Sequence, residues 1–501
     1  MDAIRIYEND NVAVALRDLK QGETIQVAGQ KIPVLADIPN GHKIALKAIA
    51  AGETAIKYGN AIGTATENVP VGGYVHDHNL KSNADGRRTY TYQFDSSKTV
   101  LRGHSDKTFR GYVRKNGAVG VRNYLLMLPT VFCANGPTER LAKMVEEKYP
   151  ACADFDGVLA LHQEFGCSQA GEDLKLTAET MAGFMTNGNF GGILVVSLGC
   201  EVNDLVNLRK YMGEDLDPER IRFLVLQDED DEFEAGMKLC DELMEKIEQD
   251  HREEVNIEKL HIAFNCGGSD GFSGITANKL LGRVCNRLVR EGATTSITEV
   301  SEMIGGEHLL MNRAIDEKVF QDIVDMIYRN LDFYEKFGYK MNENPTQGNK
   351  AGGLTTIEDK SLGCIQKGGD CAVYEVVKYG HRATKQGFIL VDGPGNDLTG
   401  ITAQIAAGAV LTIFTTGRGT PAGFGGPLFR LASNNRLAAK KPKWIDYNCG
   451  PMLETEDPAV VQQMEDELYE AIMKTVNGEY RTRNETNGYY MYGTFRVGPN
   501  M

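Results

Sequence analysis

Leu260-His261-Ile262-Ala263-Phe264 runs directly into Asn265-Cys266-Gly267-Gly268-Ser269-Asp270-Gly271, and this stretch decides the fold class. A short apolar run closed by glycines and polar residues reads as a strand covered on both faces, as in a parallel sheet. The same grammar recurs throughout the chain after residue 110. It is seen in Gly157-Val158-Leu159-Ala160-Leu161, Ile193-Leu194-Val195-Val196-Ser197-Leu198, Ile221-Arg222-Phe223-Leu224-Val225-Leu226, Phe388-Ile389-Leu390-Val391 and Val410-Leu411-Thr412-Ile413-Phe414. Between the runs lies helical periodicity, clearest in Phe233, Met237, Cys240, Met244 and Ile247. The acidic run Asp228-Glu229-Asp230-Asp231-Glu232 opens that helix, where negative charge suits the positive dipole end. The expectation is an α/β region with a mainly parallel sheet and helices on both faces.

Before residue 110 the pattern differs. Val14-Ala15-Leu16-Arg17-Asp18-Leu19-Lys20-Gln21-Gly22-Glu23-Thr24 returns as Ile44-Ala45-Leu46-Lys47-Ala48-Ile49-Ala50-Ala51-Gly52-Glu53-Thr54. Two copies of short apolar runs with Gly-Glu turns predict a small module of duplicated hairpins over residues 1–83. Residues 84–110 turn polar and read as a linker. A boundary near residue 255 divides the remainder into sections 111–255 and 256–501.

A chain of 501 residues predicts two or three domains, and 54 Lys+Arg against 69 Asp+Glu leave a net charge of −15. That sign disfavours nucleic-acid and anionic-membrane partners. No run approaches the roughly 18 apolar residues of a membrane span, and Met1-Asp2-Ala3-Ile4-Arg5 lacks the order of a signal peptide. The expected location is the cytoplasm, where ten cysteines are thiols, core fillers or metal ligands.

Ligands of open parallel sheets bind beyond the carboxyl ends of the strands. Three strand ends deliver a cysteine beside glycine: Gly166-Cys167, Gly199-Cys200-Glu201 and Cys266-Gly267. Thiolate suits iron or zinc, so Cys167, Cys200 and Cys266, with Glu201, are candidate metal ligands. Cys364, in Ser361-Leu362-Gly363-Cys364, is a weaker candidate. In Val75-His76-Asp77-His78-Asn79, an extended backbone would aim His76 and His78 to one side as a chelating pair. Ile297-Thr298-Glu299-Val300 carries a carboxylate at a strand end. Lys350 and Lys360 lie in the segments Gly348-Asn349-Lys350-Ala351-Gly352-Gly353 and Glu358-Asp359-Lys360-Ser361, and Arg418 between two glycines suits bidentate capture of a carboxylate. Gly417-Arg418-Gly419-Thr420-Pro421-Ala422 also matches a dinucleotide fingerprint, but Gly423, Gly425, Gly426 and Pro427 forbid the helix that reading needs.

Taken together, these segments resemble the altronate and galactarate dehydratase family over nearly the whole chain. The resemblance is carried by Gly41-His42-Lys43, Lys57-Tyr58-Gly59, Gly120-Val121-Arg122-Asn123, Gly166-Cys167-Ser168-Gln169, Gly199-Cys200-Glu201, Cys266-Gly267-Gly268-Ser269-Asp270, Asn344-Pro345 and Thr415-Thr416-Gly417-Arg418-Gly419-Thr420-Pro421. His76-Asp77-His78-Asn79, the segment ending at Cys364, and Trp444-Ile445-Asp446 are similar to the altronate branch more than the galactarate branch. The resemblance implies an N-terminal β-clip (SAF) domain, a Rossmann-like catalytic region with a dimerising section, and a homodimer. It also implies dehydration of D-altronate to 2-keto-3-deoxy-D-gluconate in hexuronate breakdown, with Fe2+ or Mn2+ required.

Removing the proton next to a carboxylate and expelling hydroxide calls for a base, an acid and a Lewis acid. His162 and Lys360 are the expected bases, and His76 and His78 the expected ligands or acids from the N-terminal domain. Arg418, Lys350, Ser269 and Asp270 are the expected substrate contacts. An iron–sulfur cluster on Cys167, Cys200 and Cys266 is the alternative cofactor. Galactarate or a sulfonated hydroxy acid are alternative substrates. A non-catalytic sugar-acid binder is the alternative from another class.

Overall fold

The computed structural model describes residues 1–84 and 86–498; Asp85, inside the expected linker, lies outside the described residues. The sequence repeat is visible as a structural repeat. Val12–Ala15 and Lys43–Ala45, one strand from each copy, pair antiparallel with Val12 opposite Ala45. Each is followed by a hairpin, Thr24–Val27 with Gln30–Pro33 and Thr54–Lys57 with Asn60–Ala65. Strict alternation turns Ile25 and Val27 inward, onto Leu19, Ile32 and Ile44.

Among the described residues, 86–107 form no regular helix or strand, yet they are strapped to the body of the protein. Tyr90 donates to Glu307 at 2.8 Å, Tyr92 to the Ala314 carbonyl at 3.1 Å, and the Val100 amide to the Asp370 carbonyl at 2.8 Å. A flexible tether is therefore not what the contacts describe, because the polar segment finds its partners on the catalytic body.

Two parallel sheets follow. The first has four strands in the order Gly157–Ala160, Tyr124–Pro129, Phe190–Ser197, Ile221–Val225. Helix Glu232–Ile247 packs on it through Cys240, Leu243, Met244 and Ile247, the face that the spacing predicted. Asp231 caps that helix, accepting from the Phe233 and Glu234 amides at 3.0 Å. Burying such side chains contributes roughly 1.5–3 kcal/mol for each large one.

The second sheet has seven strands, all parallel, in the order Val373–Val377, Phe388–Val391, Thr294–Ile297, His261–Cys266, Leu411–Thr416, Leu428–Ala432, Tyr447–Asn448. The chain builds outward on one side of His261–Cys266 and then returns to add Leu411–Thr416 on the other. The strand order thus reverses at His261–Cys266, and ligands of open parallel sheets bind beyond the carboxyl end of such a strand. Among the described residues, no helix is long and apolar enough to cross a membrane.

Candidate active site

Cys266 is the last residue of the strand at that reversal, fully buried. Gly267 must follow it: a Cβ there would lie 2.4 Å from Asp397 Oδ2 and 2.6 Å from the Phe414 ring. Two residues past the neighbouring strand, Glu299 adopts a left-handed backbone (φ 70°, ψ 53°), strained for a side chain of its type. The 3-10 turn Val300–Glu302 then delivers Glu302. From the other side comes helix Ile357–Cys364, capped by the Thr356 hydroxyl and buried along its whole length. It carries Lys360 and Cys364, and the turn Ile365–Gly368 continues it to Lys367.

These elements converge. One ligand atom from each of Cys266, Glu299, Glu302 and Cys364 lies within 4.8 Å of the others, the group of this kind found among the described residues. The two sulfurs are 3.7 Å apart. Lys367 Nζ, shielded from water, donates to Glu299 Oε2 at 2.7 Å, Cys266 Sγ at 2.9 Å and Cys364 Sγ at 3.2 Å. The Cys364 hydrogen bond and the Lys367 charge hold the Cys266 thiol well below its usual range despite burial, which favours the thiolate. Burial, and then that thiolate, push Glu299 upward.

Beside this group, Lys360 Nζ sits 2.7 Å from Glu302 Oε1 and donates to Asn344 and Asn349 at 3.0 and 3.3 Å. Burial works against its ammonium form, but the Glu302 charge outweighs it and shifts Lys360 upward. The expected role of Lys360 as a base runs against this shift, which favours the ammonium form. Asp397 accepts from Asn265 at 3.2 Å and is raised to about 7 by burial and by the charges of Glu302 and Cys266. A carboxyl tuned near neutrality is suited to moving a proton.

The N-terminal domain contributes by docking. Lys43 and Lys57 reach 2.8 and 2.9 Å from the two oxygens of Asp359, next to Lys360 on the buried helix. His76 Nδ1 contacts Thr355 Oγ1 at 3.0 Å, and Asp77 lies 3.6 Å from Lys350. Burial, then the charge of Lys43, pull His76 down to about 4, so its ring is neutral at pH 7. The extended backbone expected for the His76–His78 pair is not what the chain adopts. The strand ends at Val75, the Asn79 side chain accepts from the His76 amide at 3.0 Å to close a turn, and His78 is left exposed beside Tyr74.

Other expected site residues fall elsewhere. Cys167 and Cys200 are exposed, neighbouring Ser168 and Gln227, and neither is gathered with Cys266. They cap the four-stranded sheet, whereas Cys266 caps the seven-stranded one, so a metal or iron–sulfur site on that trio is not assembled. Glu201 is buried but accepts from Ser197, Thr130 and the Gly199 amide; despite burial, these bonds hold it low and staple its own loop. His162 is half exposed and pairs with Glu139 on the surface. Asp270 accepts from Ser273 at 2.8 Å and from Ser433 and Asn434 at 2.9 and 3.0 Å, ordering its loop, and Gly417 is required because a Cβ there would strike its carboxylate. Ser269 offers its carbonyl to Asn349, the residue that also contacts Lys360. Arg418 lines a cavity of about 350 Å³ with Arg436, Lys440 and Asn434.

Glu302, Lys367 and Asp397 were not anticipated. The available signal was spacing: Glu299 and Glu302, and Cys364 and Lys367, are each three apart, one helical turn.

Two thiols and two carboxylates suit a divalent transition metal. The buried Glu302 Oε2 has no hydrogen-bond partner, which fits a donor oxygen reserved for such an ion.

Comparison with known proteins is consistent along the whole chain. Residues 1–83 match the altronate/galactarate dehydratase SAF domain, 111–248 the D-galactarate dehydratase/altronate hydrolase second domain, and 257–500 the D-galactarate/altronate dehydratase C-terminal domain. The chain is 41% identical to an altronate dehydratase of Bacillus subtilis and 40% identical to one of Escherichia coli, in both cases over 99% of each chain. It is 31% identical to a galactarate dehydratase (L-threo-forming) of Escherichia coli, over 97% of this chain and 95% of that one. This chain belongs to the altronate/galactarate dehydratase family.

Proposed function

We propose that the protein is a cytoplasmic hydro-lyase that dehydrates D-altronate to 2-keto-3-deoxy-D-gluconate and water in hexuronate breakdown. The observation that carries this reading is the buried Cys266–Glu299–Glu302–Cys364 group with Lys360 and Asp397 beside it, in a chain similar to two altronate dehydratases from end to end. Residues 111–255 would supply the contact of a homodimer.

Cys266, Glu299, Glu302 and Cys364 would hold Fe2+ or Mn2+. Such an ion supplies Lewis-acid stabilisation of negative charge developing on the substrate. The chain's own groups account for the rest. Asp397, poised near neutrality, accepts the proton from the carbon next to the carboxylate. Lys360 donates from Nζ to the departing hydroxyl, and Glu302, Asn344 and Asn349 keep that ammonium aimed. Lys350 and Arg418 contribute positive charge for the substrate carboxylate. Lys367 holds Cys266 as a thiolate and binds three of the four donors together.

The test is turnover of D-altronate, galactarate and sulfolactate with ferrous iron under reducing conditions. Altronate should be dehydrated most efficiently. Turnover of galactarate alone would overturn the substrate assignment.

A further inference from the structure

A second cavity, of about 530 Å³, lies at the opposite edge of the seven-stranded sheet. It is bordered by His261, Thr294 and Val410, at the amino ends of the three central strands, and by Val119, Thr186 and Gly188 of the preceding section. The six-residue strand His261–Cys266 separates it from the thiolate group by about 17 Å of extended chain. Nothing in the proposed chemistry uses it.

Its lining is basic in a protein whose net charge is −15. Arg102, Lys259, Arg382 and Lys385 face a single acid, Glu258. That acid is already engaged, by Arg102 at 3.2 Å and His104 at 2.6 Å. Among the described residues Lys259, Arg382 and Lys385 form no ion pair. Arg382 Nη1 is buried with no hydrogen-bond partner at all. Arg382 is half-buried; a guanidinium nitrogen withdrawn from water without an acceptor is costly, and such atoms are rare unless something absent satisfies them. The neighbouring His261 is fully buried and held neutral, pulled down to about 3 by burial and by the charge of Arg382.

We propose that this cavity is a binding site for a compact oxyanion carrying two or more negative charges, with Arg382 as the fork that grips it and Lys259 and Lys385 as flanking cations. Three unpaired cations exceed what a singly charged sugar acid needs, so the ligand is chemically distinct from the substrate of the proposed reaction. Phosphate-bearing and polycarboxylate metabolites share this chemistry, and two probes separate them.

The experiment is calorimetric titration of the full-length protein with inorganic pyrophosphate and with citrate, with and without saturating D-altronate. The expected result is one site per chain for at least one probe, undisplaced by altronate, and weakened about tenfold or more by Arg382→Gln or Lys385→Gln, as loss of a charge-assisted contact implies. The probe that binds identifies the source. The ligand-free melting temperature of Arg382→Gln should not fall, because the variant removes a half-buried cation that has no ion-pair partner among the described residues; should it fall, the exposed Lys385→Gln carries the comparison. No binding of either probe at about 10 mM, or binding that both substitutions leave unchanged, would overturn the proposal.

Discussion

Replacing Asp359 by Asn tests whether the N-terminal domain holds the catalytic helix in place. The two oxygens of Asp359 meet Lys43 and Lys57 at 2.8 and 2.9 Å, and all three side chains are closed to water. The amide preserves the shape but leaves two buried ammonium groups without a counterion. Removing one partner of a buried ion pair costs about 3–5 kcal/mol. For a cooperative unit of a few hundred residues this lowers the melting temperature by roughly 6–15 °C.

The pH dependence is sharper than the size of the effect. Burial already pulls Lys43 from 10.5 down to about 8, a difference of about 3 kcal/mol against the folded state at pH 7. A lysine lowered in the fold destabilises fully below its folded pKa, and the penalty fades as the pH rises from 8 to 10.5. Without Asp359 both lysines are driven lower. The deficit of the variant is therefore larger at pH 7 than at pH 10, because the penalty fades as the pH rises toward the unfolded lysine value of about 10.5. Lys43→Met is the counterpart: it keeps the Lys57–Asp359 pair and removes the surplus charge, so it should stay within about 1 kcal/mol of the parent. Scanning calorimetry at pH 7 and 10, with altronate turnover in parallel, reads all three proteins. A melting temperature for Asp359→Asn within about 2 °C of the parent at pH 7, or a deficit that does not change with pH, refutes the reasoning.

Cys266→Ser and Cys364→Ser should each lower bound metal, measured by elemental analysis, and reduce turnover by about 100-fold or more, while Cys167→Ser and Cys200→Ser leave both within about twofold. Lys360→Met should reduce kcat by about 10²–10⁴ with little change in KM, the signature of a lost proton donor in steady-state kinetics. Because Asp397 must be ionised to accept a proton, kcat should fall on the acid side of a pH–rate profile, and Asp397→Asn should abolish that limb. His162→Ala should alter kcat/KM by less than about twofold, since its partner is the surface residue Glu139.

What was legible in the sequence was what burial writes into local composition. The apolar runs announced the parallel strands because each is covered on both faces, and the repeat at Val14 and Ile44 announced the paired hairpins. Cys266 was legible because it ends such a run. Cys167 and Cys200 end runs of the same kind, and no local pattern tells which of two parallel sheets a strand will join. The rest of the site was hidden by a reversal of the usual rule. Glu358-Asp359-Lys360-Ser361 reads as an exposed, charged stretch, yet the helix that bears it is buried from Ile357 to Cys364. It is buried because its charges are matched from far along the chain: Asp359 by Lys43 and Lys57, more than 300 residues away, and Glu358 by the Asn83 amide at 2.6 Å. A charge paired across that distance leaves no periodic trace, so neither the helix nor the cysteine at its end could be placed from spacing alone. The same pairing gives the N-terminal domain its role. Lys43 and Lys57 lock the turn of helix that carries Lys360, and Lys360 is held by Glu302 of the metal-binding group. The small domain thus acts on the site through the position of one buried carboxylate, which is why its two lysines are where the function of the first 83 residues should first be sought.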